Sequence, residues 1–363
     1  MKRNILVIFG GNSAEHDISV ITGVEALNAL PAKGYRAVPI YIRDGVWYTG
    51  SRLFEIKSYL RFDPGQYKQA GLFGGVLYEK KKRGKAEAIC RPDCALLATH
   101  GGDGENGSLQ GLLEMNGIPH TASGVIESAV CMDKAVAKAV LQSAGVRVVE
   151  GKSAGASEAV AAFEEFPGYP MIVKPATQGS SIGISTATDR KSLEEAVELA
   201  GVYAPRILAE RALQGFVEIN SGVLFDGKEC LVSAPEKPVS AGEFLSFGDK
   251  YLGGVKEGGR REFPAAIDDA LKAEIAGTSE AVVRVLGLFG VVRLDYMIEK
   301  GVVYLNEINT IPGSLAHYLF PQWSYGEFLT RLIEAGIARG VPQAPQFPSK
   351  VLEGLGEGYR KLK

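Results

Sequence analysis

The run Arg293-Leu294-Asp295 and, after a short gap, Asn306-Glu307-Ile308-Asn309-Thr310-Ile311-Pro312-Gly313 decide how this chain is read. Val291 to Ile298 alternates apolar with polar residues, Glu299-Lys300-Gly301 supplies a turn, and Val302 to Asn309 alternates again. This is the pattern of a two-stranded hairpin. A turn centred near Gly301 sets Asp295 opposite Glu307 and Arg293 opposite Asn309, and period-two geometry puts all four side chains on one face. Carboxylates and amide oxygens are the ligands of a hard cation such as magnesium, which takes few protein ligands and fills its shell with water and phosphate oxygens. An adjacent arginine suits negative charge developing on a reacting group. The plainer alternative is a solvated face with a cross-strand ion pair. The rest of the chain decides between the two.

Across 363 residues, 46% are hydrophobic and 23% charged, enough to bury a large core in two or three lobes. A formal net charge of -2 leaves no electrostatic footprint for nucleic acid or an anionic membrane, so a small-molecule ligand is the default. The basic run Lys80-Lys81-Lys82-Arg83-Gly84-Lys85 lacks interleaved aromatics and reads as a solvated loop or hairpin tip. Four cysteines, at 90, 94, 131 and 230, are sparse and suit a reducing compartment; Cys90 and Cys94 have no second pair at zinc-ligand spacing. The apolar run Ile5 to Phe9 stops at Gly10-Gly11, too short for the core of a signal peptide, and no stretch reads as a transmembrane helix.

Outward from the hairpin, the chain opens as strand Asn4 to Phe9, glycine-led loop Gly10 to His16 and helix Ile18 to Leu30, the start of an α/β lobe. Strands at Arg36 to Ile42 and Cys94 to Ala98 continue it, and the second ends in Thr99-His100-Gly101-Gly102. Both glycine-rich loops follow strand C-termini, where open α/β sheets bind ligands, so they are expected to share one cleft. A helix at Ser128 to Ser143 carries Asp133-Lys134, and a small αβ lobe follows with strands Met171 to Lys174 and Ile207 to Glu210. The third region holds a polar segment from Pro238 to Gly259, a helix Ile267 to Leu286, the hairpin and an amphipathic helix near Phe328 to Ile337.

Lys174 ends a strand and precedes Thr177-Gln178-Gly179-Ser180-Ser181-Ile182-Gly183, a chain of amide and hydroxyl donors able to fold over phosphates. Such loops are also common linkers, and the spacing is not that of a Walker loop. Two lysines for phosphates (Lys134 and Lys174), a strand-end acid for adenine or ribose (Glu210) and an acidic hairpin for magnesium make the parts list of an ATP site.

The order and spacing of these parts resemble the ATP-grasp fold. Gly10 to Ser19, His100 to Gly111, Met132-Asp133-Lys134, Lys174 to Gly183 and Asn306 to Gly313 together look like the D-alanine-D-alanine ligase family over nearly the whole chain. That resemblance implies a three-lobed α/β fold: an N-terminal parallel-sheet domain (1–122) and two α+β lobes (123–214 and 215–363) clamping ATP. It implies a cytoplasmic enzyme, expected as a homodimer, that phosphorylates one D-alanine with ATP and joins it to a second for peptidoglycan synthesis. Residue by residue, it assigns phosphate contacts to Lys134, Lys174, Ser180, Ser181 and Lys250, and nucleotide contacts to Glu210, Leu213 and Glu218. Two magnesium ions, or manganese, fall to Asp295, Glu307 and Asn309. Arg293 and the Gly313 amide would stabilise the tetrahedral intermediate. Glu15 would hold the first ammonium in a triad with Ser180 and Tyr251, and His100, Tyr318 and Leu319 would contact substrate. Read alone, Glu15 is also a helix N-terminal acid and His100 a turn histidine.

Two departures stand out. Family members commonly carry serine five residues after the glycine matching Gly313, and this chain has Tyr318, which alters the second-substrate pocket. Ser314 or His317 could compensate. The segment Leu213 to Glu218 is also one residue longer than usual. D-serine, D-lactate or another amino acid as acceptor therefore stands as the alternative, followed by a non-catalytic ATP-binding protein. A dinucleotide oxidoreductase is disfavoured because Gly10 to Glu15 lacks the Gly-x-Gly-x-x-Gly spacing. Segments 177–183 and 240–255 are expected to close over ATP.

Overall fold

The computed structural model describes residues 2–166, 168–238 and 261–341. The first lobe opens with β1 (Arg3–Gly10), α1 (His16–Ala29), β2 (Tyr35–Arg43) and β3 (Val46–Thr49). After α2 (Lys57–Leu60) come β4 (Lys68–Phe73), β5 (Val76–Lys80), β6 (Ala86–Cys90) and β7 (Cys94–Leu97). They form one sheet in the order β6-β5-β4-β3-β2-β1-β7. The expected parallel sheet is formed by β1, β2 and β7, and β2 through β6 extend it as an antiparallel meander. The reason is turn chemistry. Asp44-Gly45 and Gly74-Gly75 each place two successive residues at positive φ, which two-residue hairpins of this twist require. The basic run caps the β5–β6 hairpin, as expected.

α3 (Ser108–Met115) is followed by α4 (Val125–Met132) and α5 (Lys134–Ser143). The single helix expected over Ser128 to Ser143 is thus two. Asp133 is extended (φ -92, ψ 102) and its Oδ1 accepts from the Ala135 and Val136 amides at 3.0 and 3.1 Å. An aspartate that caps a new helix N-terminus ends the preceding one.

The second lobe is β8 (Gly151–Gly155), α6 (Ala159–Glu164), β9 (Met171–Pro175), β10 (Ser185–Ala187), α7 (Arg190–Tyr203) and β11 (Arg206–Arg211), with sheet order β10-β9-β11-β8. Its core is separate and is built around Phe163, Met171, Val173 and Leu193. The third lobe holds β12 (Val217–Phe225), β13 (Cys230–Val232), β14 (Lys237–Pro238), β15 (Arg261–Glu262), α8 (Asp269–Leu286), β16 (Gly290–Glu299) and β17 (Val302–Asn309). Its main sheet runs β13-β12-β16-β17.

Two segments pack across the lobes. Cys131 and Leu141, from α4 and α5, join the core of the third lobe. The final helix α9 (Tyr325–Arg339) buries Phe328, Leu329, Leu332 and Ile333 in the core of the first. Each such side chain contributes roughly 1.5–3 kcal/mol. Residues 215–341 therefore do not share one core. A capping box, Ser324 with Glu327, starts α9. Among the described residues, no helix is long and apolar enough to cross a membrane.

Candidate active site

The hairpin pairs as its sequence suggests, with Arg293 opposite Asn309 and Asp295 opposite Glu307, but the alternation does not run through. A two-residue turn, Lys300-Gly301, pairs Glu299 with Val302 and would set Asp295 opposite Asn306. A register shift between Asp295 and Tyr296 absorbs one extra residue and brings Glu307 into place. Asn306 and Glu307 are both half-buried in consequence, and both face the cleft. The row extends sideways: Asp295 pairs with Asn220 on β12, and Asn220 bridges to Glu236.

The opposite wall comes from α5 and the second sheet. Lys174 on β9 and Glu210 on β11 sit diagonally across the ladder, with Lys174 Nζ 2.6 Å from Glu210 Oε2. Lys138, one helical turn beyond Lys134, presses its ammonium on the other Glu210 oxygen. Burial alone would raise Glu210, but Lys138 and Lys174 overcome it and hold the carboxyl below its usual range. Burial lowers Lys138 to about 8. Lys134 donates to the Gln178 carbonyl at 2.6 Å and lies 3.1 Å from Glu307 Oε1, while Lys174 reaches Asn306 Oδ1 at 3.4 Å. Cations thus span the cleft to the acidic hairpin.

Two chambers meet here. The larger, about 310 Å³, is lined by Lys134, Lys174, Ser181, Glu210, Leu213, Glu218, Arg293, Asp295 and Glu307, with Ile172, Phe216 and Met297 as apolar faces. The smaller, about 30 Å³, is lined by Glu15, Gly101, Gly102, Glu105 and Asn309. Lys134, Gln178, Gly179 and Glu307 border both. Ser180 lines neither but donates its hydroxyl to Glu15 Oε1. Gly101 and Gly179 press on Glu15 from two lobes: a Cβ on either would come within 2.7 and 3.0 Å of its Oε2. Glycine lets both loops approach the carboxylate.

His100, Gly313, Tyr318 and Leu319 line neither chamber. Leu319 is a core side chain, 2% exposed. His100 is buried, its Nδ1 2.7 Å from the Ile311 carbonyl and its Nε2 2.9 Å from Thr22 Oγ1, which in turn accepts from the Ser314 amide at 3.0 Å. The histidine holds both sides of Gly313, and burial lowers it to about 4. Glu105 binds the same loop through the Ile311 amide and Thr310 hydroxyl and the other loop through the Gly101 amide. Burial, then Glu15, raise it to about 7. Tyr318 directs its hydroxyl to Arg293, 3.5 Å away. Lys250 and Tyr251, with the segment 240–255, lie outside the described residues. Sequence reasoning passed over Lys138, which its i+4 spacing from Lys134 marks, and the locking role of Glu105.

Asp295, Glu307 and Asn309 offer hard oxygen donors, and phosphate oxygens of a nucleotide complete such a shell. Among the described residues no group of three or more His, Cys, Asp or Glu is placed to hold a metal, so the donor set depends on this carboxylate pair, the amide and the phosphates.

Lysines facing carboxylates across a two-chambered cleft between lobes are the features of an ATP-dependent ligase. The chain belongs to the D-alanine-D-alanine ligase family: the family described as D-ala D-ala ligase N-terminus matches residues 4–123 and D-ala D-ala ligase C-terminus matches 139–334. The D-alanine--D-alanine ligase of Thermosipho melanesiensis is 35% identical, covering 93% of this chain and 94% of that protein. That of Streptomyces coelicolor is also 35% identical, covering 92% and 93%. Among solved structures, the VanG D-Ala:D-Ser ligase of Enterococcus faecalis superposes with a TM-score of 0.79 at 26% identity, covering 92% of this chain and 99% of that one. The D-alanine-D-alanine ligase of Helicobacter pylori gives 0.77 at 25% identity, covering 94% and 100%.

Proposed function

We propose that this chain uses ATP to join two D-alanines into D-alanyl-D-alanine for peptidoglycan precursors. One observation carries the reading: the small chamber bordered by Glu15 adjoins the large one, and Lys134 and Glu307 line both. An amino acid in the first thus presents its carboxylate to a nucleotide's terminal phosphate in the second.

A carboxylate oxygen of the first D-alanine attacks the terminal phosphorus, ADP departs, and an acyl phosphate forms. The amine of the second then attacks the acyl carbon, loses a proton, and phosphate leaves. Glu15, fixed by Ser180, pairs with the first ammonium. Lys134, Lys174 and Ser181 bind phosphates, while Leu213, Glu210 and Glu218 line the nucleotide chamber. Lys138 keeps Glu210 ionised. Arg293 and the Gly313 amide receive the oxyanion, and His100 and Glu105 position the loop that carries that amide. Two magnesium ions, or manganese, held by Asp295, Glu307 and Asn309 would neutralise phosphate charge. Lys250 and Tyr251 are proposed partners on resemblance alone. Four unpaired cysteines and the use of ATP support a cytoplasmic setting, and resemblance supports a homodimer.

The test supplies ATP, magnesium and D-alanine, alone and with D-serine, D-lactate or L-alanine, and identifies products by mass. D-alanyl-D-alanine from D-alanine alone is the expected product. A mixed product formed only with another acceptor would transfer the function to that acceptor.

A further inference from the structure

We propose that Arg261 is a specificity-determining residue that binds the carboxylate of the acceptor amino acid; this rests on the ligase reading above. Tyr318 occupies the position where a short hydroxyl donor is usual, and its own hydroxyl lies 3.5 Å from Arg293 Nη1. It therefore stands beside the oxyanion arginine and is not free to serve as the serine would. Above its ring, 4.5 Å from the centroid, lies the guanidinium of Arg261. The pairing of Pro238 with Arg261 carries that side chain to the end of the polar row Glu307, Asp295, Asn220, Glu236.

Glu236 orients it. Its carboxylate is 95% buried, accepts from Asn220 Nδ2 at 3.2 Å and lies 3.9 Å from Arg261 Nε, while the Arg261 side chain is 48% exposed. The Nε edge of the guanidinium thus lies toward Glu236, and its central carbon lies over the Tyr318 ring. An α-amino acid carries its carboxylate on the carbon that bears the amine. An amine attacking an acyl carbon beside Arg293 therefore keeps its carboxylate close to that carbon, and Arg261, which shares Tyr318 with Arg293, is assigned as its partner. A planar fork on an aromatic platform pairs with a carboxylate bidentately and loses little entropy in doing so. Lys134 and Lys174 face Glu307 and Glu210 on the nucleotide side.

The test measures dipeptide kinetics with ATP and D-alanine, using D-alanine or the carboxylate-free D-alaninol as acceptor, in the unmutated chain, Arg261→Ala and Arg261→Lys. Arg261→Ala is expected to raise the KM for the second D-alanine about 10- to 100-fold, leave those for ATP and the first D-alanine unchanged, and narrow the preference over D-alaninol equally. Arg261→Lys should recover part of the loss. An unchanged acceptor KM, or an equal loss with both acceptors, overturns the assignment and leaves the ligase reading standing. Failure of the unmutated chain to make any dipeptide overturns both.

Discussion

Arg293 grips both carboxylate oxygens of Asp295 two residues along the same strand, Nε 2.7 Å from Oδ1 and Nη2 2.8 Å from Oδ2. Burial alone would lower Arg293, but Asp295 and Tyr318 outweigh it and hold the guanidinium well above its ordinary value. Asn309 donates to the same Oδ2 at 3.0 Å. A cation arriving at Asp295 must share the carboxylate with this arginine. Arg293→Ala should therefore strengthen nucleotide-free metal binding, measured by titration calorimetry with manganese, while lowering turnover by about 100-fold or more. Weaker metal binding in the variant would contradict the competition.

Lys138 touches no substrate in this account, yet it is 6% exposed against a Glu210 that is 4% exposed. Lys138→Met leaves Glu210 with Lys174 alone. The expected loss is on the order of 3 kcal/mol, read as a lower denaturant midpoint, with a raised KM for ATP. An unchanged midpoint would show that Lys174 suffices.

The two chambers should be separable. Gly101 borders only the smaller one, has φ +64, and leaves no room for a Cβ beside Glu15. Gly101→Ala should displace Glu15 from Ser180 and raise the KM for the first D-alanine, with nucleotide affinity retained. Equal losses for both ligands would argue against separate chambers.

His100 falls from 6.5 to about 4 through burial. Between those values the folded chain binds fewer protons than the unfolded one, so this group's contribution to stability is present above about pH 6.5 and is lost as pH falls toward about 4. His100→Asn should show a shallower decline of melting temperature on acidification than the unmutated chain. Parallel curves would mean that His100 does not titrate as described.

The hairpin was legible because Val292 to Tyr296 alternates apolar with polar residues and Lys300-Gly301 is a strong turn signal. Its register at Asp295 depends on a bulge that no alternation count reveals, since Asn306 and Glu307 are both polar and either could face the cleft. The split at Asp133 was hidden because apolar spacing continues through it, although aspartate is a strong cap. Asp44-Gly45 and Gly74-Gly75 carried the antiparallel meander in plain view. The return of α9 to the first core had no local signal: its apolar face would suit any lobe, and only tertiary packing chooses. Lys174, Glu210 and Lys134 were legible as a set. The retreat of His100 into a buried relay was not, because a histidine beside two glycines reads equally as ligand or strut.

Glu307 and Asp295 are proposed as the acidic wall at which ATP and D-alanine react. The direct measurement is phosphate release and dipeptide yield against magnesium concentration for the unmutated chain and Glu307→Gln. One phosphate per D-alanyl-D-alanine, dependent on magnesium and reduced about 100-fold or more in the variant, is predicted. Full dipeptide synthesis by Glu307→Gln at the same magnesium concentration would contradict the account.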